Sequence, residues 1–500
     1  MKPLVRTALI AGAVSLALSG CASGDSVGKG AVESARAALP QVPERWRAIA
    51  TAAGPVENGW VRAFDDPRLL ALVEEAQARS TDLQTAVANV QQARAMAAIA
   101  RAGLYPTLSA SAAMTASRIE LDLEGLTDGI GMDAAQLPSS ITSEGVGANL
   151  GASASWEVDL WGRIRDGYYA ELENLAAARA DFRGAQQSVA ASVTQAYLTT
   201  IEAAAQQELA EETVETAATL YRLVSLQVEV GEIAAAERAL ARAELASARN
   251  GLAQAVRSRR QAIRALEVLL GRYPAAELGN GAYFPEVPRP PGASVPAALL
   301  ERRPDLYAAE RRVAAALYRE EQADKASLPS LSLTGMIQLI SQTLDGIFDP
   351  AATLLSAGPG LNVPLFSGWE EVAQAELADA RVRSAVANYE SVALQAFREV
   401  ENSLDRGATL RLRHEELTIR VEQLERRYEV ELLRYRYGES SLLDVTQIRQ
   451  RYLTARTDLV QVERALRDQF IELNLALGGW WAESVEPIGS IVLTEQDQGS

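Results

Sequence analysis

The 500-residue chain contains one cysteine and one histidine. A Cys/His zinc site, an iron–sulfur cluster and an internal disulfide are therefore excluded. Any triad built on an imidazole would need His414. That residue sits in the charged run Arg411-Leu412-Arg413-His414-Glu415-Glu416, which reads as a solvated helix face and not as a proton switch. Lysine is scarce too, being confined to Lys2, Lys29 and Lys325. None belongs to a phosphate loop, because Gly24–Gly30 (GDSVGKG) has the wrong spacing and follows no strand. The formal charge of -17 opposes a nucleic-acid partner. Past the N-terminus no stretch reaches about 18 apolar residues, so no membrane-spanning helix is expected. No pair of acids stands apart from the solvated ones. The expectation is a protein that is not an enzyme, with no metal site and no cofactor.

What is present begins at the N-terminus. Residues 1–20 read as a secretory signal, with Lys2 and Arg6 as its positive end and Leu9–Leu18 as an apolar core too short to span a bilayer. It ends in Leu18-Ser19-Gly20-Cys21, which resembles a bacterial lipobox, so Cys21 is the expected lipidation site and mature N-terminus. Ala22 follows where Asp would retain such a lipoprotein at the inner membrane, which favours the outer membrane. Each buried acyl CH₂ contributes about 0.8 kcal/mol, so several chains on one cysteine anchor firmly.

The remainder repeats itself. Leu104-Tyr105-Pro106-Thr107-Leu108-Ser109 answers Ser327-Leu328-Pro329-Ser330-Leu331-Ser332 at an offset of 223. Leu160-Trp161-Gly162 answers Phe366-Ser367-Gly368, and Leu270-Gly271 answers Leu477-Gly478, at offsets of 206 and 207. The first copy thus carries an insertion between Pro106 and Gly162. The expected layout is a lipid-anchored segment over 21–64, repeat 1 over 65–275, a proline-rich linker over 276–296, repeat 2 over 297–480 and a tail over 481–500. Trp480-Trp481 reads as a packing anchor near the chain end.

Each copy mixes two periods. Most of it is rich in Ala, Leu, Glu, Arg and Gln, which favour helix. Leu417, Val421, Leu424, Tyr428, Leu432 and Tyr435 follow spacings of three and four, and Tyr452, Leu459, Leu466 and Leu473 recur every seven residues. Arg163 to Val230 has few breakers and would extend about 100 Å as helix. Two coiled-coil hairpins are expected, turning near Gly231 and Gly438. The other period is two. Ala148, Leu150, Ala152, Ala154, Trp156, Val158 and Leu160 alternate with small or polar residues, as do Leu331, Leu333, Ile337 and Leu339. Strands are expected over about 107–118, 146–160, 330–340 and 354–366, with hairpin loops near Ile119–Gly145 and Ser341–Ala351. The thirteen-residue alternation exceeds the about 9–11 residues of a transmembrane strand. Tyr105, Trp161, Phe366 and Trp369 at strand ends suit a membrane interface. Pro359 and Pro364 count against a central strand. Four strands cannot close a barrel and an open edge is not tolerated in lipid, so several chains must share one barrel.

These features gather around sequence blocks with a family signature: the lipobox, Phe64-Asp65-Asp66-Pro67-Arg68-Leu69, Trp156-Glu157-Val158-Asp159-Leu160-Trp161-Gly162-Arg163, Arg303-Pro304-Asp305-Leu306 and Val363-Pro364-Leu365-Phe366. They resemble the outer-membrane efflux proteins, and more narrowly the NodT-type lipoprotein branch of the TolC-like outer-membrane factors. The resemblance implies a mainly α fold with a membrane β-barrel portion. Two tandem repeats would each supply long coiled-coil helices and one β-hairpin, and a homotrimer would share a 12-stranded barrel and an α-helical periplasmic tunnel. It implies an exit duct of a tripartite efflux pump, with a periplasmic adaptor and an inner-membrane transporter, often of the RND type, and contact with outer-membrane lipids. It further implies a periplasmic gate at the hairpin turns. Leu443 matches a position that can form an apolar constriction, Asp444 one that can form an acidic ring, and Arg434 a basic residue that can pair across helices. Glu237 is the counterpart of Asp444 in copy one. Where many relatives carry a second acid, this chain has Gln447.

Two other readings stay open on sequence alone. The duct could serve protein secretion with an ABC transporter, in a type I system. The chain could also be a structural periplasmic coiled-coil lipoprotein without a pore.

Overall fold

The computed structural model describes residues 43–48, 56–122, 140–279, 283–292, 296–341 and 353–482. Cys21, the signal segment 1–20 and most of the tail lie outside the described residues. The main elements, in chain order, are α1 (Pro67–Arg79), α2 (Thr81–Ala102), β1 (Thr107–Asp122), β2 (Ser140–Val158), α3 (Arg163–Glu229), α4 (Ala235–Leu269), α5 (Pro304–Asp324), β3 (Ser330–Ser341), β4 (Thr353–Asn362), α6 (Glu370–Arg436) and α7 (Leu442–Ala476).

The repeat is visible in the element lengths. α3 and α6 each hold 67 residues, α4 and α7 each hold 35, and both pairs start 207 positions apart. A 67-residue helix is about 100 Å long. No proline interrupts either long helix, and both end before a glycine with positive φ, Gly231 at 82° and Gly438 at 76°.

The chain divides into two compact units. The described part of the first comprises Arg94–Glu173 and Ala314–Ser384 and contains the sheet. Its strands run in the order β1-β2-β3-β4, all antiparallel. The strand ends differ from expectation. β1 continues to Asp122 and β2 begins at Ser140, so the first loop is shorter than 119–145. Arg118 and Glu144, directly opposite in the ladder and 3.3 Å apart, extend the pairing past the apolar run. β2 stops at Val158 instead of 160, because Asp159 turns its carboxylate to the next helix. β4 stops at Asn362 instead of 366, because Pro364 has no N–H to give to a ladder. Pro359 does lie within β4. It pairs with Leu333, and an antiparallel ladder accepts proline where the pair exchanges no backbone hydrogen bonds. The missing N–H therefore faces the outer edge of the sheet.

The second unit takes its described residues from Glu33–Ala93, Asn174–Val313 and Ala385–Ser500. One core is built from Trp60, Phe64, Leu69, Val73, Tyr197, Ile201, Leu266, Phe470 and Ile471. Phe64 meets Phe470 edge-on at 5.3 Å. The Phe64–Leu69 block has a plain structural reason. Asp66 caps α1 by accepting from the N–H groups of Arg68 and Leu69, at 2.9 and 3.1 Å, with Pro67 as the first helical residue. Its second oxygen accepts the Tyr197 hydroxyl at 2.9 Å. Burial and that carboxylate push the tyrosine far above its usual range. The Arg303–Leu306 block is a second anchor. The buried Arg303 fork donates to Asp305 at 2.7 and 3.0 Å, to Glu399 at 2.7 Å and to the Ala476 carbonyl at 3.3 Å.

Candidate functional site: the two-faced sheet and the hairpin tips

The register gives the sheet two unlike faces. On one face stand Leu108, Ala110, Ala112 and Met114 of β1, Ala148, Leu150, Ala152, Ala154, Trp156 and Val158 of β2, Leu331, Leu333, Ile337 and Leu339 of β3, and Leu355, Ala357 and Leu361 of β4. The opposite face carries Thr107, Ser109, Ser153, Ser155, Glu157, Ser332, Thr334, Gln338 and Ser356, with Ala113, Ile119, Met336, Ile340 and Leu354 among its apolar exceptions. Ser109 and Ser153 join across it at 2.8 Å. The apolar face is open: Leu108, Met114, Leu355 and Leu361 are all exposed. Such a band is costly in water and natural in lipid. Among the described residues, β1 and β4 each have one edge without a partner strand.

The aromatic residues gather at one end of these strands. The indole N–H of Trp156 donates to the Leu104 carbonyl at 3.0 Å, and that of Trp161 to the Pro329 carbonyl at 2.8 Å. Trp161 and Tyr105 stay half exposed and Phe366 and Trp369 largely so, the last two meeting edge-on at 6.3 Å. The rest of the Trp156–Arg163 block is a strand-to-helix joint. Glu157 pairs with Arg163 at 2.7 Å, and Asp159 accepts from the N–H groups of Ile164 and Arg165 at 3.1 and 3.0 Å. Gly162 takes a φ of 82° that other residues adopt with strain.

The hairpin tips belong to the second unit. Both turns close with the same pair of backbone bonds: Glu232 and Gly231 to Gln227 and Val228, and Glu439 and Gly438 to Arg434 and Tyr435. Leu220, Val224, Ala241, Tyr435, Leu442 and Val445 bury together, joining the two hairpins, with Ile233, Tyr428 and Leu432 packed against them. The Tyr435 hydroxyl donates to Gln227 at 3.1 Å, and burial with Glu237 nearby raises its pKa.

The predicted gate residues occupy distinct environments. Leu442 is fully buried, whereas Leu443, next to it, is 53 % exposed. Asp444 and Gln447 share that exposed face. Asp444 closes a capping box with Ser441, accepting its N–H at 3.3 Å and its hydroxyl at 2.6 Å. These bonds, helped by the charges of Arg434 and Arg427, hold its carboxyl below the usual range. Arg434 lies 3.8 Å from Glu431 of its own helix. Glu237 sits in the first turn of α4, half-buried, with one carboxylate oxygen enclosed and unbonded.

Sequence reading missed two buried charges here. Glu431 and Arg449 are 3 % and 5 % exposed, and Arg449 reaches Glu244 at 3.2 Å. The signal was available, since Glu431 falls between Tyr428 and Tyr435 on an otherwise apolar stripe. His414, by contrast, is partly exposed on its helix and 3.9 Å from Glu463. Trp480 and Trp481 pack near the chain end, the former under Arg183 and the latter against the core. Among the described residues there is no metal-binding cluster, and no helix is long and apolar enough to cross a membrane.

A lipid-compatible sheet and a duplicated hairpin of long helices in one chain define an outer-membrane channel protein. The outer membrane efflux protein family matches residues 72–272 and 295–479. The pyoverdine export outer membrane protein OpmQ of Pseudomonas putida is 32% identical, over 85% of this chain and 88% of its own. The cation efflux system protein CusC of Escherichia coli O6:H1 is 28% identical, over 94% of this chain and 98% of its own. Among solved structures, the Campylobacter jejuni CmeC outer membrane channel superposes with a TM-score of 0.77 at 26% identity, covering 90% of this chain and 95% of that one. The chain belongs to the outer membrane efflux protein family. It is an outer-membrane protein that extends into the periplasm and serves as the exit duct of an efflux pump.

Proposed function

We propose that the protein works as a homotrimer in which three four-stranded sheets complete one 12-stranded barrel, continued by an α-helical tunnel. The observation that carries this reading is the sheet itself: one face apolar and exposed and, among the described residues, an unpaired edge at both β1 and β4. A barrel leaves no edge in lipid, and only neighbouring chains can supply the missing partners. Tyr105, Trp161, Phe366 and Trp369, gathered at one end of the strands, mark the periplasmic interface, where amphipathic rings are favoured. Lipid on Cys21 holds each chain to the outer membrane. The duct is passive and has no catalytic role.

At the tips, Leu443 forms the apolar constriction and Asp444 and Glu237 supply its acidic rim, with Arg434 pairing close by. The exposure of Leu443 beside a buried Leu442 supports this, since the chain's own packing leaves Leu443 free. A periplasmic adaptor docks on the tips and couples the duct to an inner-membrane transporter of the RND type. The cargo is small molecules such as drugs or toxic compounds. The test is a deletion strain, assayed for accumulation of dyes and antibiotics beside the mass profile of its secreted proteins. Raised accumulation, restored by the gene, with unchanged secretion supports the reading. Normal accumulation with a missing secreted protein overturns it in favour of protein export.

A further inference from the structure

The two hairpins are copies at a spacing of 207 residues, and their turns close with the same backbone bonds, yet the side chains behind those turns are of opposite chemistry. In the first hairpin Leu220, Val224 and Ile233 belong to the apolar cluster. The residues 207 positions on are Arg427, Glu431 and Ser440. The Ser440 hydroxyl donates to Oε1 of Glu431. Oε2 of Glu431 lies 2.5 Å from Nη2 of Arg427 and 3.8 Å from Nη1 of Arg434, close as ion pairs but not aligned as hydrogen bonds.

Burying a carboxylate is expensive unless it is paired, and a valine in the matching place of copy one shows that the turn itself does not require one. What the carboxylate adds is a hold on a cation. Copy one has Gln227 at the position of Arg434, and its side chain accepts the Tyr435 hydroxyl. Only the second hairpin has an arginine at that position, and it stands near Asp444. We infer that Glu431 is a positioning residue: it holds the Arg434 guanidinium and the Gly438–Ser441 turn in fixed relation, and so sets the closed form of the tip. This rests on the reading of the tip as the constriction.

The test uses the full-length protein reconstituted in planar bilayers. Glu431→Gln is expected to raise closed-state conductance several-fold, Arg434→Gln to do the same, and the double variant to leak no more than either alone. A transplant of the first hairpin's residues, Arg427→Leu with Glu431→Val and Ser440→Ile, keeps an apolar clamp behind the turn. It is expected to assemble and melt like the wild type and still leak. Wild-type conductance of the transplant, or additive leaks from Glu431→Gln and Arg434→Gln, would overturn the inference by making Glu431 a clamp only. A second readout separates the two readings. The labelling rate of Glu439→Cys, against the parent whose single cysteine is Cys21, is expected to rise several-fold when Glu431→Gln is added. Unchanged labelling overturns the hold on the turn. Faster labelling with wild-type conductance in Glu431→Gln, Leu443→Ala and Asp444→Ala upholds that hold and overturns the constriction.

Discussion

Ala152 and Ser153 are adjacent on β2 and point to opposite faces, so one arginine at each separates lipid from lumen. Ala152 lies in the ladder between Ala110 and Ile337, and its apolar file runs from Val146 to Val158. At about 3.3 Å per residue that file is about 40 Å of strand, and a tilt near 40° reduces it to about 30 Å, enough for an apolar band of about 25 Å. Ala152 is the midpoint. An arginine on the lipid face at mid-depth costs about 2–4 kcal/mol. Ser153 faces the polar side and meets Ser109. An arginine there loses one exposed hydrogen bond, about 0.5–1.5 kcal/mol at most. Ala152→Arg is therefore expected to lower the temperature at which the folded band converts on an unheated-to-heated gel series, and Ser153→Arg to leave it nearly unchanged. Equal tolerance of both, or greater damage from Ser153→Arg, would refute the assignment of faces.

Three further outcomes are expected. Arg303→Met strands Asp305 and Glu399 beside an unbonded carbonyl; breaking a buried pair costs about 3–5 kcal/mol, and the exposure of both acids reduces this to about 2 kcal/mol, read from the urea midpoint. Ser441→Ala removes the capping box of α7 at about 1 kcal/mol and is expected to speed hydrogen exchange of the amides at 442–445 while leaving α4, capped by no side chain at Ala234, unchanged. Burial pushes Asp468 from 3.8 up to about 6, against the pull of Arg464 and with Glu472 and Glu202 adding to the rise. Because its folded form binds the proton more tightly than the unfolded chain, stability is expected to fall as pH rises from about 4 to 6. Asp468→Asn removes that slope, which a pH series of unfolding midpoints measures.

The periods of two and near 3.5 carried most of the fold, because side-chain alternation and helical stripes are written directly in residue order. The prolines were harder. Pro359 argued against a strand until the register placed it at a sheet edge, in a pair that needs no N–H from it. Arg118 marked the end of the apolar run, and its partner Glu144, 26 positions away, kept the ladder going. Cross-strand partners of that kind have no local signature. The same holds at the tips. Leu443 and Asp444 are legible from their turn, and the Ser441-x-x-Asp444 pattern announces a cap. Glu431 is legible only in part: Arg427 and Arg434 are its neighbours at i−4 and i+3 on the same helix, whereas Ser440 reaches it only once the chain has turned back. The Trp156–Arg163 block carried the family resemblance, and the structure supplies the reason for several of its residues: an indole anchored to Leu104, an ion pair, a helix cap and a left-handed glycine.

The central claim is that these four strands are one third of a closed barrel. The direct measurement is the protein mass of the detergent-solubilised species, by light scattering with the detergent contribution subtracted, on unheated and heated samples. Three chains per particle, converting to single chains only on heating, is the predicted result. A single folded chain at all concentrations, with no heat-dependent change in mass, would contradict it.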